Sequence, residues 1–283
     1  MRVRHEGRAE DDGYRSELVP GVRASVDAGR LAEEIAFASG RLLALSAEPP
    51  GLYGEARALA VDDLERATWT CFLLAYLGPL EHEDDPYSSI RSVLAAAPSP
   101  NAEAQFPDLD GIALGPRSSH ESNRGAATLN AYRQWVQRAG APGALQSVAF
   151  RGDAAWTPER RFERLFERLA LPGFGRVGRY ELLVTLGRLG LYELHPDSLH
   201  LAGSQGLAGG DPTTVAAKRV FGIGDPLLLD RRALALAEAV GVPVEALDLA
   251  LTNWAAPERA RVGFPSEASD GTARERAASA LGL

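Results

Sequence analysis

The sequence has little cysteine, little lysine and no long apolar run, and each scarcity excludes a class of protein. One cysteine, Cys71, cannot form a disulfide within the chain, so the fold must hold without covalent cross-links and suits a reducing compartment. No stretch approaches the roughly 20 apolar residues that a membrane-spanning helix needs, and Met1-Arg2-Val3-Arg4-His5-Glu6 lacks the apolar run of a signal peptide. The expected location is cytoplasmic. Lys218 is the one lysine among 30 basic residues, so any chemistry requiring a side-chain amine has a single candidate.

What is present is an ordinary globular composition, 45% hydrophobic and 24% charged, enough to bury a core. The net charge of −8 argues against a protein that is basic all over, but the charge is segregated. Residues 31–130 hold 15 acids and 6 bases, whereas 131–190 hold 10 arginines and 5 acids. The run Glu81-His82-Glu83-Asp84-Asp85 lacks the spacing of a metal site and reads as a solvated loop. No metal is expected.

The periodicity is helical and β-branched alternation is absent, so the fold class is all-α. Leu31, Ile35, Ala38, Leu42 and Leu45 keep helical spacing until Pro49-Pro50-Gly51, and Asp62-Asp63-Leu64-Glu65 starts another helix that ends at Gly78-Pro79. Residues 98–128 form the longest loop-like stretch. A further helix carries Leu129, Tyr132, Trp135 and Val136 and ends near Gly140-Ala141-Pro142-Gly143. Thr157-Pro158-Glu159 is a helix start with a buried stripe at Phe162, Leu165, Phe166 and Leu169; more helices are expected over 179–191, 212–221, 226–240 and 243–254. The expected organisation is an arm over 1–30, a helical lobe over 31–150 with an insertion at 98–128, and a second lobe over 151–283.

Leu171-Pro172-Gly173-Phe174-Gly175-Arg176-Val177-Gly178 stands between two amphipathic helices. Two glycines around one apolar residue make a tight turn whose amides suit a phosphate, and the dipole of the following helix, with Arg176 and Arg179, adds positive charge. The plain alternative is a glycine-rich connection between packed helices. Gly222-Ile223-Gly224 is either a second turn of this kind or a helix stop and restart.

The segment 171–178 resembles the helix-hairpin-helix of the DNA glycosylase superfamily, whose hairpin grips the backbone beside a damaged base. The resemblance covers eight residues closely and the order of elements over 157–255. It implies a bilobal, all-α domain that binds duplex DNA through Gly173, Phe174, Gly175, Arg176, Gly178 and Arg179, with Lys218 as a further contact. The family's catalytic aspartate corresponds to Asp211, in Asp211-Pro212-Thr213-Thr214-Val215, with Asp197 nearer to the usual spacing. Val177 stands where lyase-active relatives carry a Schiff-base lysine, so the implied activity is a monofunctional glycosylase. One thiol cannot hold the iron–sulfur cluster of some relatives, and no cofactor is expected.

Against these roles stand simpler ones. Asp211 before Pro-Thr-Thr is also an ordinary helix cap, and Tyr132, Trp135, Trp156 and Trp254 serve a core more readily than a base pocket. His5, His82, His120, His195 and His200 read as surface residues. Three functions are therefore expected in order: hydrolysis of the N-glycosidic bond of a damaged or modified base, DNA binding without catalysis, and an enzyme or accessory domain of thymine hypermodification. The last would bind a nucleobase adduct or diphosphate and would not release a base.

Overall fold

The computed structural model describes residues 9–101, 105–121, 123–139, 145–202 and 210–283. The chain is all-α, with no strand among the described residues. Its helices are α1 (Ser25–Ala47), α2 (Gly51–Leu59), α3 (Leu64–Leu77), α4 (Ser88–Ala96), α5 (Ala127–Arg138), α6 (Gln146–Arg151), α7 (Pro158–Arg168), α8 (Arg176–Arg188), α9 (Pro212–Phe221), α10 (Pro226–Val240), α11 (Ala246–Ala255) and α12 (Gly271–Leu281). No helix among these is long and apolar enough to cross a membrane.

Several starts are made by the caps legible in the sequence. Asp63 accepts from the Arg66 amide, Thr157 from Arg160 and Asp225 from Leu228, each satisfying a donor that a helix leaves unpaired. Several boundaries differ, among them the end of α8, at Arg188, and the start of α11, at Ala246. Residues 25–30, expected within an extended arm, open α1, where Asp12 accepts from the Ser25 amide at 2.9 Å. Helix α8 starts at Arg176, three residues before the expected position. The glycines expected to close α5, Gly140 and Gly143, lie outside the described residues.

The chain divides into two compact units. One comprises the residues up to Leu43 with Asp197–Arg259 and Pro265–Leu283; the other comprises Ala44–Pro196 with Ala260–Phe264. The division does not fall at the expected boundary near 150, because α1 packs with the carboxy-terminal helices. Within the first unit Trp254 Nε1 donates to Asp27 O at 2.9 Å, and Arg259 forks onto the buried Glu34 at 2.8 and 3.0 Å. Helix α9 packs on α10 and α11, and α10 on α12.

The second unit is built around α3, which is apolar on nearly every face and buried from Ala67 to Leu77. It packs against α2, α4, α6 and α8. Trp69, Phe72 and Tyr132 stack at its centre, with 3.8 Å between the Phe72 and Tyr132 rings. The polar ends of these rings are satisfied: Trp69 Nε1 donates to Ala97 O, and Tyr132 Oη to Gln146 Oε1. Tyr132, Trp135 and Trp254 are thus core residues, while Trp156 is half-buried. Cys71 lies in the same core, where burial pushes its thiol up to about 12 and leaves it inert as a nucleophile at neutral pH.

Candidate functional site

The turn between α7 and α8 belongs to the second unit and is shaped by the loop laid against it. Gly173 has φ +76°, and a Cβ there would lie 2.3 Å from Thr128 Oγ1; one on Gly178 would lie 2.3 Å from Ser119 Oγ. Thr128 Oγ1 also donates to Pro172 O at 3.1 Å. Close packing against Ser119, Arg124 and Thr128 therefore requires both glycines, and at Gly173 the backbone conformation does as well.

Phe174, between the two glycines, points inward: it is 2% exposed, with ring centres 5.1 Å from Phe72 and 6.1 Å from Tyr76. Gly175 is the exposed part of the turn. It caps α8 with no side-chain hydrogen bond, and a Cβ on it would meet nothing within 4 Å. The open point is thus Gly175, at the entry to α8, since Arg176 and Gly178 behind it are buried.

The two arginines expected to lend charge to an anion at this turn do other work. Arg176 is buried, its guanidinium 4.6 Å above the Tyr180 ring one helical turn on. Arg179 Nη1 donates to Phe166 O at 2.9 Å, answering a carbonyl in the last turn of α7, and lies 4.3 Å over the Phe166 ring. The positive character of the exposed corner therefore comes from the helix.

Residues 115–121 close the other side. Gly115 N donates to Leu77 O at 3.1 Å, and Ser119 N and Ser118 Oγ donate to Tyr76 O at 2.9 and 3.0 Å, which satisfies carbonyls at the end of α3. This brings His120 into the interior, so the expectation of a surface histidine is corrected at this position. Its Nδ1 and Tyr76 Oη share a hydrogen bond of 2.7 Å; its Nε2, buried and without a hydrogen-bond partner, is 3.9 Å from Asp110 Oδ1. Burial pushes the Tyr76 phenol above its ordinary pKa. Nothing local in the sequence marks His120, because its burial depends on α3, more than forty residues earlier.

At the opposite ends of α7 and α8 a cavity of about 700 Å³ opens in the same unit, lined among others by Arg151, Arg161, Gly187, Tyr192, Glu193 and His195. Its size falls in the range of small-molecule sites. Arg161 forms one wall and is fixed by three backbone carbonyls. Tyr192 shares a 2.7 Å hydrogen bond with Thr68, while His195 remains exposed.

Asp197, Asp211 and Lys218 belong to the first unit. Asp197 is exposed, 3.9 Å from His200. Asp211 is the cap of α9: its Oδ2 accepts from the Thr214 amide at 2.7 Å and from Thr214 Oγ1 at 2.6 Å, while Oδ1 is buried without a hydrogen-bond partner. Lys218 is half-buried in the last turn of α9. Replacing Asp211 by Ala is expected to cost about 1–2 kcal/mol in chemical denaturation, and Asp211→Asn under half of that, since an amide oxygen still caps the helix. Equal losses for the two variants would deny the capping role. Among the described residues no group of His, Cys, Asp and Glu is arranged to hold a metal ion.

A family model, alpha-glutamyl/putrescinyl thymine pyrophosphorylase clade 3, matches residues 116–262, just over half of the chain. The matched span contains the loop at His120, the glycine turn, the cavity residues from Arg151 to His195, and Asp211. No curated protein and no solved structure matches the chain.

Proposed function

Since the chain belongs to the alpha-glutamyl/putrescinyl thymine pyrophosphorylase clade 3 family, a family of thymine hypermodification, we propose that it exchanges a diphosphate carried by thymine for an amine. The methyl carbon is the part of thymine that projects into the major groove away from the pairing edge, so it is the position taken to carry the substituent. The bond from that carbon to the diphosphate oxygen breaks and a bond to the amine nitrogen of glutamate or putrescine forms. Pyrophosphate departs with the electrons of the broken bond, and the amine gives up a proton to a base.

The observation that carries this reading is the family match, which spans the glycine turn and the start of α8. The amides at a helix start suit a phosphate oxygen, and duplex DNA is proposed as the polymer that carries the thymine. Hydrolysis of the glycosidic bond takes second place. Asp211, the preferred acid for that chemistry, has one oxygen committed to capping α9 and the other buried.

The test is incubation of the protein with a duplex containing thymine diphosphorylated on its methyl carbon, with glutamate or putrescine present. Expected are stoichiometric pyrophosphate release and, after digestion, a nucleoside heavier by the amine with its glycosidic bond intact. Release of a free base would restore the glycosylase reading, and no conversion with either amine, in duplex or free nucleotide, would overturn the proposal.

A further inference from the structure

The turn joining α9 and α10 repeats the pattern of the α7–α8 turn with the opposite orientation of its middle residue. Gly173-Phe174-Gly175 and Gly222-Ile223-Gly224 both begin with a left-handed glycine, at φ +76° and +83°, and both lead into a helix within two residues. Phe174 is 2% exposed; Ile223 is 96% exposed. Leu227 and Leu228, in the first turn of α10, are exposed beside it. Three apolar side chains at one tip cost solvation, and Ile223 stands almost fully open among the described residues.

The surroundings select an occupant. Lys218 and Arg219 lie in the last turn of α9, and Arg231 and Arg232 follow in α10, against two acids, Asp225 and Asp230, in this stretch. Both acids are engaged with backbone amides: Asp225 caps α10 through the Leu228 amide, and Asp230 accepts from Leu199 and Leu201. Arg219 and Arg231 are exposed. In a chain of net charge −8 this is a local excess of positive charge around an apolar point. Apolar side chains flanked by cations are what proteins insert between the base steps of a duplex, where the cations meet phosphate and the wedge replaces a stacked base.

We propose that the Ile223 tip is a duplex-inserting wedge that unstacks a base step, with Leu227 and Leu228 packing on the opened bases and Arg219 and Arg231 contacting phosphates. The proposal rests on the reading that the thymine is modified within a duplex. It supplies what that reading lacks, a device for exposing one base to an enzyme.

The experiment uses the full chain and a duplex with 2-aminopurine beside thymine, reading affinity by anisotropy and unstacking by fluorescence. The wild type is expected to bind and to raise the 2-aminopurine signal. Ile223→Ala is expected to bind on the order of tenfold more weakly, from the lost apolar burial, and to give no rise. Val61→Ala, which removes an apolar side chain 85% exposed in the other unit, is expected to behave as the wild type. Melting temperature should not change for either variant, since neither side chain is buried.

Wild-type affinity and signal in both Ile223→Ala and Ile223→Asp would overturn the wedge, as would failure of the wild type to bind duplex. A change in sedimentation on altering Ile223, with DNA binding unaltered, would assign the tip to a second copy of the chain instead. Amine transfer to a free nucleotide without duplex binding would leave the proposed reaction standing and remove the wedge. Unstacking without amine transfer would do the reverse.

Discussion

Replacing Arg161 by Met is expected to lower stability by about 3 kcal/mol and the melting temperature by roughly 10 °C. Arg161 is buried, and its guanidinium donates from Nε to Arg151 O at 2.9 Å, from Nη1 to Glu193 O at 2.9 Å and from Nη2 to Trp156 O at 3.2 Å. The three carbonyls come from the end of α6, the entry to α7 and the segment after α8. One planar cation thus ties three pieces of chain. Met fills similar volume but leaves the carbonyls without donors, and a group that loses its partner in the interior carries its desolvation cost. Lys carries its three donors on one nitrogen and cannot span carbonyls set around three nitrogens of a guanidinium, so Arg161→Lys should recover less than half of the loss. Because Arg151, Arg161 and Glu193 line the cavity, the same change should reshape its walls. A melting curve within 1–2 °C of the wild type would show that the carbonyls find other donors.

The sequence made most helices legible where a cap and an apolar stripe coincide. Thr157-Pro158, Asp211-Pro212 and Asp225-Pro226 each predict a start to the residue, because an oxygen that accepts an amide and a proline that needs no donor act locally. Helices α2, α4, α6 and α12 escaped. The first three are nine residues or fewer, and none has a side-chain cap, so their formation depends on packing against α3; α12 escaped despite its cap, Asp270. The early start of α8 escaped because Gly178 reads as part of the turn. In the fold it is a helical residue whose missing side chain makes room for Ser119 and Phe174.

Of the candidate site, the glycine turn was visible and its surroundings were not. The inward turn of Arg176 was readable in principle, since Arg176 and Tyr180 are four residues apart in one helix and stack across a turn. The burial of His120 was not. It arises from residues 115–121 running along the end of α3, a tertiary pairing that no local pattern encodes. Likewise Ile223 and Phe174 occupy the same local pattern, and the difference between 96% and 2% exposure comes from what each helix pair meets.

That contrast between local pattern and tertiary setting separates the two glycines of the α7–α8 turn. Gly173→Ala is expected to destabilise the chain by about 2–3 kcal/mol, since φ +76° disfavours any side chain and the new Cβ would sit 2.3 Å from Thr128 Oγ1 and 2.8 Å from Arg124 Cδ. Arg124 can swing away, but Thr128 is held by its bond to Pro172 O, so relief requires moving the loop. Gly175→Ala meets nothing within 4 Å and keeps an extended φ of −68°, so the melting temperature should stay within about 1 °C of the wild type. If the start of α8 seats a phosphate at Gly175, a methyl there intrudes between the amides and the anion. Duplex binding should then weaken by about tenfold at unchanged stability, with little change in the salt slope, because helix amides carry no titratable or mobile charge. Unaltered affinity in Gly175→Ala would move the phosphate contact away from this turn, and a loss of stability equal to that of Gly173→Ala would mean that the corner is packed and not open.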